Sequence, residues 1–469
     1  MCSSDLVDFN QECTDNELCS TLFSDKYVCV EKHCRRKFLD FGKEEILGLV
    51  IITVLIAMTN SGGVGAGTAV SPTLVVLFFF PLVLAIPQAR VTIMTGSLIT
   101  FIMTGFSRKS NSCNRFQTDY SLAAVLTPLL LAGSHIGVIF ARYLPSLIIS
   151  VLLIAYICYS LLQTYKRATK ERKRETKVKT GENQTYFDQP RISNVSFTDY
   201  SVSATPKSTT DNDVPPDSDN GKELEKDNSL EVKSKTEMFK EQIVNFALLL
   251  LAITVFVVAS LMKGGRTIKS IVGVEECSLA SWGVLLVSQI ICIAIAGLAY
   301  LYNRATFSEM DNEIMTFRHI DDNNEMSPQE ARIRLIAATY LAGVISGFIG
   351  VGGGMILGLY MLAVGLDVYS STALSNFIVL ISSSATSFQF LAIGAIQLDN
   401  SLIFIGIALI GSIAGNLLFK RILKRLQKPS LIVWLLFGVL WLAFAALSYE
   451  AYTNIQRKGK AVLMFGKFC

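Results

Sequence analysis

Ser346-Gly347-Phe348-Ile349-Gly350-Val351-Gly352-Gly353-Gly354 lies in the middle of an apolar run that extends from residue 333 to 364. One crossing of the hydrocarbon layer takes about 20 residues, so this run is too long to be one helix and too short to be two ordinary ones. Glycine at its centre marks where the helix stops and restarts. A second over-long run, 46–84, is interrupted in the same way by Ser61-Gly62-Gly63-Val64-Gly65-Ala66-Gly67. Each run reads as a helical hairpin or broken helix that enters the membrane and returns. GVGAG is not a dinucleotide loop, because an apolar hairpin offers no βαβ unit around it.

Eight further apolar stretches of spanning length follow, at 88–107, 120–141, 146–165, 243–262, 279–302, 369–393, 400–419 and 430–450. Hydrophobic residues make up 51% of the chain and charged residues only 17%. Of the 80 acidic and basic residues, 61 fall in 1–45, 166–242, 303–334 and 451–469. The rest is too poor in charge to supply a soluble surface. The fold class is therefore an all-α polytopic membrane protein. A formal net charge of +4 with no basic surface domain argues against a nucleic-acid partner. The lipid bilayer is the partner that composition demands.

Lys166 to Lys179 holds eight basic residues and two acidic ones, which places that loop in the cytosol. Counting crossings outward puts the N-terminus and the C-terminal tail outside or in a lumen, in the plasma membrane or an endomembrane. Residues 1–45 form a Cys-rich segment with Cys2, Cys13, Cys19, Cys29 and Cys34. So few large hydrophobes cannot build a core, and disulfides in an oxidising compartment suit such a segment better than zinc beside His33. No secretory leader is visible in the first ten residues. The domain plan is 1–45 outside, 46–165 as membrane repeat 1, and 166–242 as a disordered cytosolic linker. An additional helix pair at 243–302, a cytosolic loop at 303–332, membrane repeat 2 at 333–452 and an outer tail at 453–469 complete it.

The two halves share landmarks in one order. Gly63-Val64-Gly65-Ala66-Gly67 matches Gly350-Val351-Gly352-Gly353-Gly354, and Asp119-Tyr120-Ser121-Leu122 matches Asp399-Asn400-Ser401-Leu402. Gly133-Ser134 with Gly137 matches Gly411-Ser412 with Gly415, and Pro145-Ser146-Leu147-Ile148 matches Pro429-Ser430-Leu431-Ile432. The offsets are 287, 280, 278 and 284, which implies a duplication. One hairpin plus three crossings is an odd number and the intervening pair is even. The second copy then starts on the opposite side, giving two inverted repeats with an extra helix pair between them.

Backbone broken inside a membrane survives only where it is buried in protein or lines a cavity. The arm that restarts presents free N–H groups and a positive dipole, which favour an anion. The candidate substrate-binding residues are therefore Ser61, Gly63, Gly65, Gly67, Thr68, Gly350, Gly352, Gly353 and Gly354. Nearby hydroxyls and amides add Thr95, Ser97, Ser375, Asn376, Ser384, Thr386 and Ser387, with Asn60, Ser71, Ser346 and Gln389 also in reach. The rival reading is that such small residues only let helices pack closely. His135 is the one titratable group well inside a span and is the candidate proton site. A hydrogen-bonded packing histidine is the favoured reading of it. Arg90 follows Pro87 at an outer helix start, where it either draws anions to the mouth or, by preference, snorkels to the headgroups. The spans contain no Asp or Glu for a carboxylate relay, and the sequence calls for no metal or cofactor.

The paired Gly-rich hairpins, each followed by three helices, resemble the TauE/SafE sulfite-exporter family of anion transporters. Gly347-Phe348-Ile349-Gly350-Val351-Gly352-Gly353-Gly354 carries the resemblance in the second copy, and Ser61 to Gly67 with Pro72 carries it in the first. Gly358 stands where the family commonly has Pro, and Ser382 to Ser387 is similar to its Thr-Ser-rich helix. The Cys-rich N-terminus, the long linker and the extra helix pair resemble eukaryotic members. The resemblance implies export of sulfite, organosulfonates or related anions, often with a coupling ion such as a proton or sodium. The functional expectation is a secondary transporter of a small anionic substrate by alternating access at a midplane site. The alternative is a non-transporting membrane scaffold or receptor that uses the Cys-rich ectodomain and the cytosolic loops. An enzyme is disfavoured, since HExxH, GxSxG and an intramembrane Asp pair are all missing from the sequence.

Overall fold

The computed structural model describes residues 27–30, 33–36, 42–61, 67–78, 80, 82–109, 112–144, 146–179, 236, 239–240, 242–264, 270–273, 278–304, 328–350, 352–364, 368–419, 421 and 429–458. Both over-long apolar runs are divided at their glycines. The first gives α1 (Lys43–Ser61) and α2 (Gly67–Phe78), followed by α3 (Leu82–Thr104), α4 (Tyr120–Tyr143) and α5 (Ser146–Lys179). The additional pair is α6 (Ile243–Lys263) and α7 (Leu279–Tyr302). The second run gives α8 (Pro328–Ile349) and α9 (Gly353–Val364), followed by α10 (Val368–Ile393), α11 (Leu398–Ala414) and α12 (Pro429–Lys458). A π-helical turn, Gly415–Phe419, extends α11. Among the described residues, seven helices are long and apolar enough to cross a membrane. The chain is an all-α polytopic membrane protein.

Four departures from the sequence reading stand out. Two short hairpins were not expected: β1 (Tyr27–Val30) with β2 (His33–Arg36), and β3 (Arg108–Lys109) with β4 (Ser112–Phe116). Cys29 lies in the first, opposite Cys34 in register, and it is disulfide-bonded. Cys2, Cys13 and Cys19 lie outside the described residues. The expected disordered linker does not begin at residue 166, because α5 continues unbroken to Lys179. Its basic stretch is rich in Lys, Arg and Glu, all good helix formers, and a helix already nucleated in the membrane extends easily. Helix α3 starts at Leu82 and carries Pro87 inside it, rather than starting at 88. Finally, α1 begins at Lys43, so buried Glu45 enters its first turn, where the helix dipole favours an acid.

Several helix contacts correspond between the two halves. α8 packs on α4 as α1 packs on α11, and α3 touches α11 as α10 touches α4. α3 lies on its counterpart α10, and α5 lies on its counterpart α12. The glycine landmarks explain the first of these pairings. Gly133 and Gly137 of α4 face Gly343 and Gly347 of α8, so a Cβ on Gly133 would meet Tyr340 O and one on Gly137 would meet Val344 O. In the other half, a Cβ on Gly411 would lie 2.9 Å from Thr53 O, and one on Gly415 would meet Ala57 O. Small residues at both sites bring two backbones together where lipid offers no other driving force.

Polar side chains tie the remaining helices. Gln88 Nε2 of α3 donates to Ser401 Oγ of α11 at 2.9 Å. At one end of the additional pair, Asn303 Nδ2 donates to Asn245 Oδ1 at 2.7 Å, and Asn245 Nδ2 donates to Ser121 Oγ at 3.2 Å. Gln289 Nε2 of α7 donates to Ala132 O of α4 at 2.8 Å. The landmark serines Ser121 and Ser401 therefore both join helices. The landmark acids differ: Asp119 caps α4 by accepting from Ser121 N and Leu122 N, while Asp399 sits inside the first turn of α11.

A methyl group at position 137 has no room, whereas Gly297 of α7 has nothing within 4 Å of its Cβ position. Gly137→Ala is expected to lower stability by about 1–3 kcal/mol. Gly297→Ala should leave it unchanged or raise it by up to about 1 kcal/mol. Thermal unfolding of the purified protein in detergent reads both, and equal Tm values for the two variants would refute the backbone-contact assignment.

Candidate functional site

The second break is built by packing from three helices. Gly350 N donates to Ser346 O at 3.0 Å, which closes the last turn of α8. Gly350 then turns the chain with φ +79°, a left-handed angle that favours glycine. The Ile86 side chain of α3 lies against it, and a Cβ there would come within 2.5 Å of Ile86 Cγ2. Gly352, Gly353 and Gly354 are all buried. A Cβ on Gly353 would lie 2.8 Å from Leu130 Cδ1 of α4, and one on Gly354 would meet Ser375 O of α10. Ser375 Oγ also donates to Gly354 O. Helix α9 therefore starts inside the protein, with α3, α4 and α10 around its first turn. The N–H groups of that turn have no partner within the helix.

The first break is described only at its edges. Ser61 is the last residue of α1, and Gly67 and Thr68 are the first two of α2, so α2 restarts at the glycine that matches Gly354. Gly63 and Gly65 lie outside the described residues, as do the side chains of Asn60, Ser61 and Thr68. The expected meeting of the two tips falls there too.

The hydroxyls divide into two groups. Thr95 Oγ1 donates to Val91 O at 3.0 Å, Ser384 Oγ to Leu380 O at 2.7 Å, and Thr386 Oγ1 to Ser382 O at 2.8 Å. These protons are spent on their own helices, which is the packing role. Ser71 Oγ, Ser387 Oγ and Gln389 Oε1 are buried and have no partner among the described residues. Ser97 and Asn376 are buried as well. Gln389 lines a small cavity with Val138, Ser260 and Lys263, between α4, the end of α6 and α10.

His135 stands next to that region but is engaged in packing. Its ring stacks on Phe256 of α6 with centroids 3.8 Å apart, and Nε2 lies 3.4 Å from Ser260 Oγ. Nδ1 has no partner among the described residues.

Arg90 overturns the snorkelling expectation. It is 0% exposed and is the largest fully buried side chain among the described residues. Nη2 donates to Ser346 O and, at 3.0 Å, to Ser346 Oγ. The physical reason lies in the start of α3: with Leu82 to Ile86 helical and Pro87 inside, Arg90 sits two turns along the helix rather than at its mouth. Pro is tolerated there because neighbours in a membrane bundle satisfy the freed backbone groups. The apolar residues before Pro87 were the signal in the sequence for this deeper placement.

The family model described as "Sulfite exporter TauE/SafE" matches residues 47–188 and 237–446. Sulfite exporter TauE/SafE family protein 5 of Arabidopsis thaliana is 24% identical over 393 residues, covering 83% of this chain and 79% of that protein. Family protein 1 of the same plant is 23% identical over 432 residues, covering 87% of this chain and 84% of its own length. No solved structure matches the chain significantly. The matched residues run from α1 to α12 and include both Gly-rich breaks, so the chain belongs to the sulfite exporter TauE/SafE family.

Proposed function

We propose that the protein is a secondary transporter of small anions, with sulfite, organosulfonates and related sulfur oxyanions as the substrate class. The observation that carries this reading is the start of α9, a helix N-terminus enclosed by α3, α4 and α10 at the Gly350–Gly353 break. Such an end offers unpaired N–H groups and a positive dipole in a low-dielectric setting. The matching restart of α2 at Gly67 supplies the second half of the site under the same reading, with Gly63 and Gly65 in its break. Family membership agrees with the anion.

The mechanism proposed is alternating access. The halves are read as inverted repeats, each first arm packed on the fourth helix of the other half. Rocking one half against the other would open the breaks to one side at a time. Of the candidate residues, Ser375 on α10 meets Gly354 at the break; Asn376 and Ser387 lie on the same helix and Ser97 on α3. The N-terminus is placed outside and the basic end of α5 in the cytosol. A proton or sodium is the coupling ion to test.

In proteoliposomes, the wild type should release sulfite, and Gly353→Leu and Gly65→Leu should each slow release at least about tenfold, the value of one hydrogen bond to a charged group. Equal flux through all three would remove the breaks from the site. Cys113 should resist an impermeant thiol reagent in sealed cells, while Cys277 reacts after reduction; the reverse pattern would invert the topology. His135→Phe keeps the stack on Phe256 and is expected to leave the pH dependence of flux unchanged. A flattened pH profile would instead identify His135 as the proton site.

A further inference from the structure

We infer that Arg90 is the fixed cation that binds the transported anion, and that it selects oxyanions over halides. The inference rests on the transport reading and names the group and chemistry that reading leaves open. Arg90 is fully buried, and its hydrogen bonds among the described residues go to Ser346 through Nη2. Nε and Nη1 have no hydrogen-bond partner among the described residues, and no carboxylate is paired with the guanidinium there. An isolated cation held away from water is strongly destabilising, and proteins retain one only with a counter-charge or for use. The guanidinium does not escape by losing its proton. Among the described residues no side chain supplies its counter-ion, and an anion from outside the chain would fill that role.

The place of Arg90 says which anion. Ser346 O accepts both from Arg90 Nη2 and from Gly350 N, so the guanidinium lies one turn before the α8 break. Ile86, one turn earlier on α3, packs on Gly350 itself. The same face of α3 thus carries an apolar contact to the break and a cation beside it. Asn376 falls eight residues after the first residue of α10, as Arg90 falls eight after the first residue of α3, so the duplicated position is polar in both halves. One Nε–H and two Nη1–H donors remain on a planar group. Nη2 belongs to both forked edges, so these donors lie on two different edges. An anion with several oxygens, such as sulfite or a sulfonate, can meet one edge and still present oxygens to the N–H groups at the nearby start of α9, which a single-atom halide spans less well. Anion binding would neutralise the buried charge, so the loaded site is better suited than the empty one to closure inside the membrane.

The test uses the full chain in proteoliposomes and in detergent, with sulfite, methanesulfonate and chloride as probes. Wild type should show sulfite flux and a sulfite-dependent rise in Tm. Arg90→Gln should raise the KM for sulfite at least about tenfold and abolish that rise, with no loss of Tm in the absence of anion. Arg90→Lys, which keeps the charge but gathers its donors on one ammonium, should retain flux but narrow the preference for sulfite over chloride. Unchanged KM and Tm response in Arg90→Gln would overturn the role of Arg90 and leave transport standing. Should Arg90→Gln not fold, unchanged KM and selectivity in Arg90→Lys would overturn it equally. Neither flux nor a Tm response from wild type with any probe would overturn the transport reading itself.

Discussion

Hydrocarbon offers no hydrogen bonds, so every peptide group in it must be satisfied by the protein. A helix meets that demand alone; a helix broken at Gly350–Gly353 cannot. The surroundings of the break follow from this one constraint. α3, α4 and α10 close around it, Gly350 takes the left-handed angle that only glycine adopts without strain, and Ser346 O serves two donors at once.

Holding such a break in place needs a rigid scaffold, and helix contacts between the two halves of the chain supply it. Each first arm leans on the fourth helix of the opposite half through glycines, α8 on α4 and α1 on α11. Gly133 against Gly343 and Gly137 against Gly347 bring backbones to contact distance. The additional pair α6 and α7 sits outside these contacts, joined to α4 by Asn245, Gln289 and their partners.

Much of this was legible in the sequence because hydrocarbon imposes length and periodic apolarity. The bounds of α7, 279–302, read directly, and both Gly-rich breaks were visible as interruptions of over-long runs. What could not be read was direction. Arg90 was assigned to the headgroups because a proline immediately before the apolar stretch at 88–107 looks like a boundary, although the apolar residues before Pro87 continue the helix. Thr95, Ser384 and Thr386 looked like ligands, yet their protons go to their own helices, a choice made by local rotamers rather than composition. The basic run after Tyr165 looked like the start of a disordered linker. Its helical propensity was hidden under its charge.

Helix α5 gives that run a mechanical meaning. Its 34 residues would measure about 51 Å, against about 30 Å of hydrocarbon. The 14 residues from Lys166 to Lys179 therefore form a mast about 21 Å tall beyond the apolar span, clamped at its foot by α12. Whatever follows Lys179 is launched from the top of that mast, not from the membrane surface. A tilt of α5 within the bundle would be magnified at its tip.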